Sequence, residues 1–210
     1  MRLCFLFSLV FVFSCNSNLE TIETKDEDGY VVKYSRKKVD YAKQGLYTKY
    51  YPSGALYEEA NYENDTLHGE RKIYFKSGKL EVLENYDRGI FTSPYKKYYK
   101  GGQLKLEGFY ENNMAVGIWT RYYENGKVKD AVTLVENVEN GPFTEYYENG
   151  NLKAEGTYKG MDVDTGYPRE HGLLKMYDES GELVKKMDCD KGRCKTIWTK
   201  DEGDMPPKNK

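Results

Sequence analysis

A glycine recurs at Gly54, Gly78, Gly102, Gly126 and Gly150, at four successive intervals of 24 residues, and again at Gly181 after an interval of 31. A fixed period of this length marks a repeat architecture, in which each unit is one supersecondary element and no unit buries a core alone. The period is carried by other residues too. Four positions before the glycine stands a tyrosine in every copy: Tyr50, Tyr74, Tyr98, Tyr122, Tyr146 and Tyr177. Three before it come Tyr51, Phe75, Tyr99, Tyr123, Tyr147 and then Asp178, and two after it Leu56, Leu80, Leu104, Val128, Leu152 and Leu183.

The chemistry of one copy is that of a β-hairpin. Ser53, Ser77, Asn125, Asn149 and Ser180 precede the glycine, with Gly101 in the remaining copy, and such dipeptides supply the positive φ of a tight turn. Downstream, Leu152, Ala154, Gly156 and Tyr158 alternate with Asn151, Lys153, Glu155 and Thr157, the period of a strand with one buried face. Upstream, Tyr47, Tyr95, Trp119 and Phe143 share a face with the aromatic three before the glycine, and the small residues Ala60, Gly108 and Gly156 would leave room for those rings. The outer face would carry Lys105, Lys129 and Lys153 in one row, with Glu107 and Glu155 beside it. A two-stranded ribbon buries too little to stand alone in water, so the hairpins must add edge to edge. The expected fold is all-β, a repetitive antiparallel β-hairpin meander of roughly twelve strands, about 55 Å long at the usual inter-strand spacing.

The segments 117–128 and 141–153, Gly-Ile-Trp-Thr-Arg-Tyr-Tyr-Glu-Asn-Gly-Lys-Val and Gly-Pro-Phe-Thr-Glu-Tyr-Tyr-Glu-Asn-Gly-Asn-Leu-Lys, resemble variants of the MORN repeat. Bacterial proteins of this kind include the YwqK-type antitoxin components. The resemblance covers residues 45–188 and implies a MORN-type solenoid acting as a scaffolding or lipid-associated module. It also implies an antitoxin role, which an exported chain would fit poorly.

Export is read from the N-terminus. Met1 and Arg2 precede an apolar run from Leu3 to Phe13, too short for the ~20 residues that span a bilayer but suited to a signal peptide. It ends Val12-Phe13-Ser14-Cys15, similar to the lipobox of bacterial lipoproteins, whose cysteine is acylated and becomes the first residue after cleavage. Phe13 departs from the smaller residue usual there. The chain is therefore expected to be a lipoprotein of the cell envelope, held at the outer membrane through Cys15, with residues 16–28 as its tether. Cys4 would leave with the signal, so that Cys189 and Cys194 remain as the only thiols of the mature body. Outside the cytoplasm disulfides persist, and four residues including Gly192 separate the two; a disulfide across a terminal hairpin is expected.

The array needs ends. Residues 29–44 read as a degenerate N-terminal half repeat, 189–199 as a capping hairpin, and 200–210, charged and proline-bearing, as a disordered tail. The one irregularity between them is an insertion in the fifth copy, at residues 159–171. Insertions in repeat proteins map to surface loops, often on the binding side, which makes Met161, Asp162, Asp164, Tyr167 and Arg169 the candidate partner-binding residues. Asp162, Asp164 and Gly166 lack the later ligands of a calcium loop, and no metal or other cofactor is expected.

Other function classes find little support. The 32 basic and 34 acidic residues balance, giving no field to steer the chain onto nucleic acid. His68 and His171 each precede a glycine four repeats apart, as turn residues, and no nucleophile elbow or phosphate loop is present, so no enzyme is expected. Tyrosines number 21 in 210 residues, and at strict repeat positions they read first as core; a glycan- or lipid-binding role for their rings is the alternative to a protein partner of the envelope.

Overall fold

The structure, a computed structural model, describes residues 18–162 and 166–205, and within these the chain forms 17 strands and no helix. They are β1 (Leu19–Lys25), β2 (Val31–Lys37), β3 (Lys43–Tyr50), β4 (Leu56–Glu63), β5 (Thr66–Tyr74), β6 (Leu80–Asp87), β7 (Ile90–Tyr98) and β8 (Leu104–Glu111). Then follow β9 (Met114–Tyr122), β10 (Val128–Val135), β11 (Val138–Tyr146), β12 (Leu152–Met161), β13 (Pro168–Glu170), β14 (Gly172–Tyr177), β15 (Leu183–Asp190), β16 (Arg193–Thr199) and β17 (Gly203–Asp204). Each strand pairs antiparallel with the next, except that β13 and β14 both lie against β12. The result is one open meander.

Two kinds of turn alternate along its rims. On one rim a three-residue loop ends in the repeat glycine: the Gly54 N–H donates to the Tyr51 carbonyl (2.8 Å), and the Tyr51 N–H to the Ala55 carbonyl (2.8 Å). Gly54 has φ 85°, and its five counterparts lie between 82° and 98°. The residue before each glycine does not share the positive φ, so one left-handed residue makes this turn rather than a dipeptide. On the other rim two-residue turns carry positive φ at both positions: Asn64-Asp65, Arg88-Gly89, Asn112-Asn113, Glu136-Asn137 and Lys191-Gly192. This is the geometry that matches the twist of a hairpin.

Just past every repeat glycine the ladder slips by one residue. Tyr50 faces Leu56 while Lys49 faces Glu58, leaving Tyr57 unpaired, and the same shift recurs at Tyr74, Tyr98, Tyr122, Tyr146 and Tyr177. Residues directly opposite share a face, so the leucine row joins the Tyr50 row on one side of the sheet. The unbroken alternation read from Leu152 to Tyr158 is corrected accordingly: Leu152 and Tyr158 lie on opposite faces, because a bulge intervenes. The lysine row moves as well. Lys105 and Lys129 reach over the Tyr99 and Tyr123 rings (5.2 and 5.7 Å), and Lys153 pairs with Glu145 (3.2 Å).

The core follows from this arrangement. Tyr47 faces Ala60, Tyr95 faces Gly108, Trp119 faces Val132 and Phe143 faces Gly156. Trp119 and Phe143 are buried, at 8 % and 6 % exposure, within a run of ring contacts that includes Phe91–Tyr110 (4.1 Å) and Tyr95–Trp119 (5.6 Å). A Cβ placed on Gly108 would meet the Trp119 ring at 2.2 Å. The row of tyrosines four before the glycine is only half buried and belongs to the other face.

Side chains stitch each repeat to the next at both rims. The hydroxyls of Tyr51, Tyr99, Tyr123 and Tyr147 donate to the carbonyls of Tyr74, Tyr122, Tyr146 and Tyr177, at 2.7–2.9 Å. Phe75 has no hydroxyl to give. At the opposite rim Asn137 makes a two-way clasp: its N–H donates to the Ala115 carbonyl (3.0 Å) and its Oδ1 accepts the Ala115 N–H (2.7 Å). Asp65 with Lys43 and Asn113 with Phe91 repeat that clasp.

Both ends depart from expectation. The stretch read as a tether contains β1, which pairs with β2 along its length and sets Glu20 against Arg36 (2.7 Å) and Glu23 against Lys33 (3.1 Å). Gly29 (φ 85°) closes the same three-residue turn as the repeat glycines, so the N-terminal cap is a whole hairpin rather than half of one. At the other end residues 200–205 turn back, and Met205 donates its N–H to the Ile197 carbonyl (2.8 Å), where a disordered tail was expected. Polar composition misled in both places, because the charges are satisfied across strands. The signal segment and Cys15 lie outside the described residues.

Gly108→Ala should lower stability by about 1–3 kcal/mol through overpacking against Trp119. Thr157→Ala on the exposed face should stay within about 0.5 kcal/mol of the parent. Urea midpoints at constant m-value test the pair.

Candidate functional site

The fifth-copy insertion is an extended hairpin. β12 runs on to Met161 and β13 folds back along it, with Tyr158 opposite Glu170 and Met161 opposite Pro168. The Asp162 N–H donates to the Tyr167 carbonyl and the Gly166 N–H to the Asp162 carbonyl, each at 2.8 Å. Asp164 lies outside the described residues. Beside this projection stands the terminal hairpin, in which Cys189 and Cys194 face each other across β15 and β16 and are joined by a disulfide.

The two hairpins meet through the bond that joins neighbouring repeats elsewhere. The Gly192 N–H donates to the Glu170 carbonyl (3.1 Å), an offset of 22 residues, the same offset by which Asp65 bonds Lys43 and Asn137 bonds Ala115. The Lys191-Gly192 turn is thereby laid against the base of the insertion. Between them open two adjoining hollows of about 150 and 480 Å³ that share Arg169, Glu170 and Lys191 as a common wall. Asp162, Tyr167 and Arg169 line this cleft, whereas Met161 does not. The sequence reading missed Lys159, His171, Lys191 and Arg193 as lining residues. The 22-residue offset was the signal that could have found the turn residues among them.

The cleft is cationic at its surface. Lys159, Arg169, Lys191 and Arg193 have no carboxylate within ion-pair distance among the described residues. Arg169 Nε is shut off from solvent with no hydrogen-bond acceptor, a state that costs of order 1–3 kcal/mol for a buried donor. His171 Nδ1 stands 3.7 Å from Asp190, and His68 stands 3.5 Å from Asp87 at the equivalent place four repeats away. The two histidines thus occupy separate sites, each half exposed.

The aromatic face offers a second candidate. In the second repeat the ring and its small partner are replaced by Arg71 and Glu84, and the guanidinium binds Glu84 and Glu58 at 2.7 Å each. Desolvation acts against the charged guanidinium, but the hydrogen bonds it donates to Glu58 and Glu84 outweigh this and raise the Arg71 pKa. Further along, Arg121 pairs with the buried Asp130 (2.7 Å), and burial pushes nearby Glu139 above the usual carboxylate range. The rings themselves are packed on one another, which leaves few free faces for a ligand.

The opposite face carries paired phenols and carboxylates. Tyr74 donates to Glu59, Tyr122 to Glu107 and Tyr177 to Glu155, at 2.6, 2.6 and 2.8 Å, with Lys72, Lys96 and Lys175 beside the same carboxylates. The bond to Glu107, with burial, lifts Tyr122 to about 12, while burial first of all lifts Tyr47 and Tyr158 to about 12. Lys175 and then Tyr177 hold Glu155 below its ordinary value. Among the described residues no group of three or more His, Cys, Asp or Glu side chains could hold a metal ion, and no helix is long and apolar enough to cross a membrane.

A single-layer sheet of near-identical hairpins, with one modified repeat beside a cross-linked end, defines the class of β-hairpin repeat proteins. The MORN repeat variant family model matches at residues 43–64, 67–88, 92–112, 115–133, 139–159 and 170–188, together more than half of the chain. The chain belongs to the MORN repeat variant family. Each of the six matched segments spans one glycine-turn hairpin, and the last two flank the projecting tip of the insertion. None of the curated proteins matches the chain.

The raised phenols carry a pH signature. A tyrosine whose folded value lies above its unfolded value of 10.0 favours folding fully below pH 10 and loses that contribution as pH rises through the folded value. Stability should therefore hold up to about pH 10 and fall steeply between about 10 and 12. The tyrosinate absorbance at 295 nm contributed by Tyr47, Tyr122 and Tyr158, read as the difference from their Phe variants, should appear together with loss of the near-ultraviolet circular dichroism, not ahead of it.

Proposed function

We propose that this MORN repeat protein is a non-catalytic binding scaffold of the bacterial cell envelope, exported and anchored by lipid at Cys15, whose partner is a protein engaged at the corner between the insertion and the terminal hairpin. The observation that carries the reading is convergence. The one copy that breaks the 24-residue period projects its extra residues beside the disulfide hairpin, and together they line a cleft of about 480 Å³. Tyr167, 72 % exposed, stands at its mouth as an aromatic anchor of the kind interfaces favour. The regular sheet supplies rigidity and reach.

A glycan- or lipid-binding role is favoured by one feature, the exposed ring of Phe109 beside Ile118 on the Tyr50-row face, at 53 % and 59 % exposure. The antitoxin role of YwqK-type relatives would require a cytoplasmic pool and has no feature of the cleft in its favour.

Deleting residues 160–169 should abolish capture of the partner in cross-linking from native envelopes while leaving the thermal transition of the array in place. Unchanged capture would remove the corner from consideration. Labelled palmitate should enter the chain and be lost in Cys15→Ala; equal labelling of that variant would remove the anchor.

A further inference from the structure

We infer that the corner cleft holds a single oxyanion group, a phosphate or a carboxylate, on Arg169. The inference rests on the corner being the binding site and adds the chemistry of what is bound there. Four cationic side chains, Lys159, Arg169, Lys191 and Arg193, converge on it from three separate segments of the chain. Elsewhere on the sheet the arginines find carboxylates: Arg36 has Glu20, Arg71 has Glu58 and Glu84, Arg88 has Asp87, and Arg121 has Asp130. At the corner Arg169 and Arg193 have none among the described residues, although Glu170 and Asp190 line the same hollow and Asp162 the adjoining one. Of these, Asp190 stands toward His171.

Arg169 is the centre of the group. It is the one cation common to both hollows that rises from a strand rather than from a turn, and its Nε has neither solvent nor acceptor. A guanidinium presents its donors in a planar fork that fits two oxygens of a carboxylate or phosphate side by side. A small rotation of the Arg169 side chain within the hollow would give Nε the acceptor it lacks. The Lys191-Gly192 turn, fixed by the disulfide on one side and by the Glu170 carbonyl on the other, packs on the Arg169 stem: a Cβ at Gly192 would lie 3.6 Å from Arg169 Cγ. The Arg169 stem thus has a fixed turn against it before any ligand arrives, which lowers the ordering cost of binding.

Charge limits the ligand further. Four basic groups against the three carboxylates leave the lining only about one positive charge in excess when His171 is neutral. A polyanion would meet Glu170 and Asp162 as well as the cations. The cleft therefore selects one oxyanion head on a larger molecule, with Tyr167 and Pro168 offering apolar surface beside it.

The test is a titration of the full chain, disulfide intact, with inorganic phosphate and separately with glutarate, at ionic strength held constant with chloride and followed by amide shifts of Arg169, Lys191 and Gly192. Saturable shifts confined to these residues are expected with at least one probe, and the stronger of the two identifies phosphate or carboxylate as the preferred head. Arg169→Ala should weaken binding at least tenfold and Arg169→Lys by less, with Lys105→Ala, a surface lysine far from the cleft, leaving it unchanged. Where Arg169→Ala disturbs the fold, Lys191→Ala with Arg193→Ala provides the same test from the turn side. No saturable shift with either probe, or affinity that survives these substitutions in folded protein, overturns the inference. Loss of partner capture on deleting residues 160–169 with no oxyanion binding would retire the oxyanion alone and leave the corner as the site.

Discussion

A sheet one layer thick has no second layer to bury its face against, and most of what is unusual in this chain answers that constraint. In an ordinary domain two layers enclose an apolar core. Here the neighbours of a side chain lie on the adjoining strands of the same sheet, so the rings of Phe91, Tyr95, Tyr110 and Trp119 must bury one another on one face of it. Tyrosine suits this role because it is wide enough to cover a neighbour and ends in a hydroxyl that can cross to the next repeat, as Tyr99 does to the carbonyl of Tyr122. The constraint also explains why the turns are so uniform. Extra residues are tolerated only where they project from the sheet, as the fifth-copy insertion does while Tyr147 still bonds Tyr177 across it.

The second repeat shows what happens when that rule is relaxed. Arg71 and the two glutamates take the place of ring and small residue, and Phe75 has no hydroxyl for the next carbonyl. An ion triad that is mostly withdrawn from water is a weaker source of stability than the rings it replaces, because desolvation opposes the attraction. It does fix register, since a guanidinium bound to two carboxylates cannot slide by one residue without leaving a charge unpaired.

The period, the hairpin and the all-β class were legible because the 24-residue repeat is literal and each copy carries its own turn glycine. The bulge was not legible, since Leu152, Ala154, Gly156 and Tyr158 alternate without a break and nothing in their types marks the extra residue at Lys153. The second set of turns hid for a related reason: Arg88 and Glu136 are not residues one expects at positive φ. β1 was mistaken for a linker because Glu20 and Glu23 look solvated until Arg36 and Lys33 are placed opposite them. For the cleft, the insertion was visible as a break in period, but its neighbour was concealed by distance along the chain. Only the 22-residue bond between a turn and the strand before it brings Gly192 to Glu170.

The disulfide gives the array a direction. In a structure held together by nearest-neighbour contacts, fraying starts at an end and travels inward one hairpin at a time. The C-terminal end is pinned by a covalent link between β15 and β16 and by a return strand laid on β16, whereas at the other end the outer edge of β1 has no partner strand among the described residues. The molecule is therefore a zipper with its slider fixed at one side. Thermal opening runs from the N-terminal hairpin toward the second repeat, while the corner beside Cys189 is the last part to come undone.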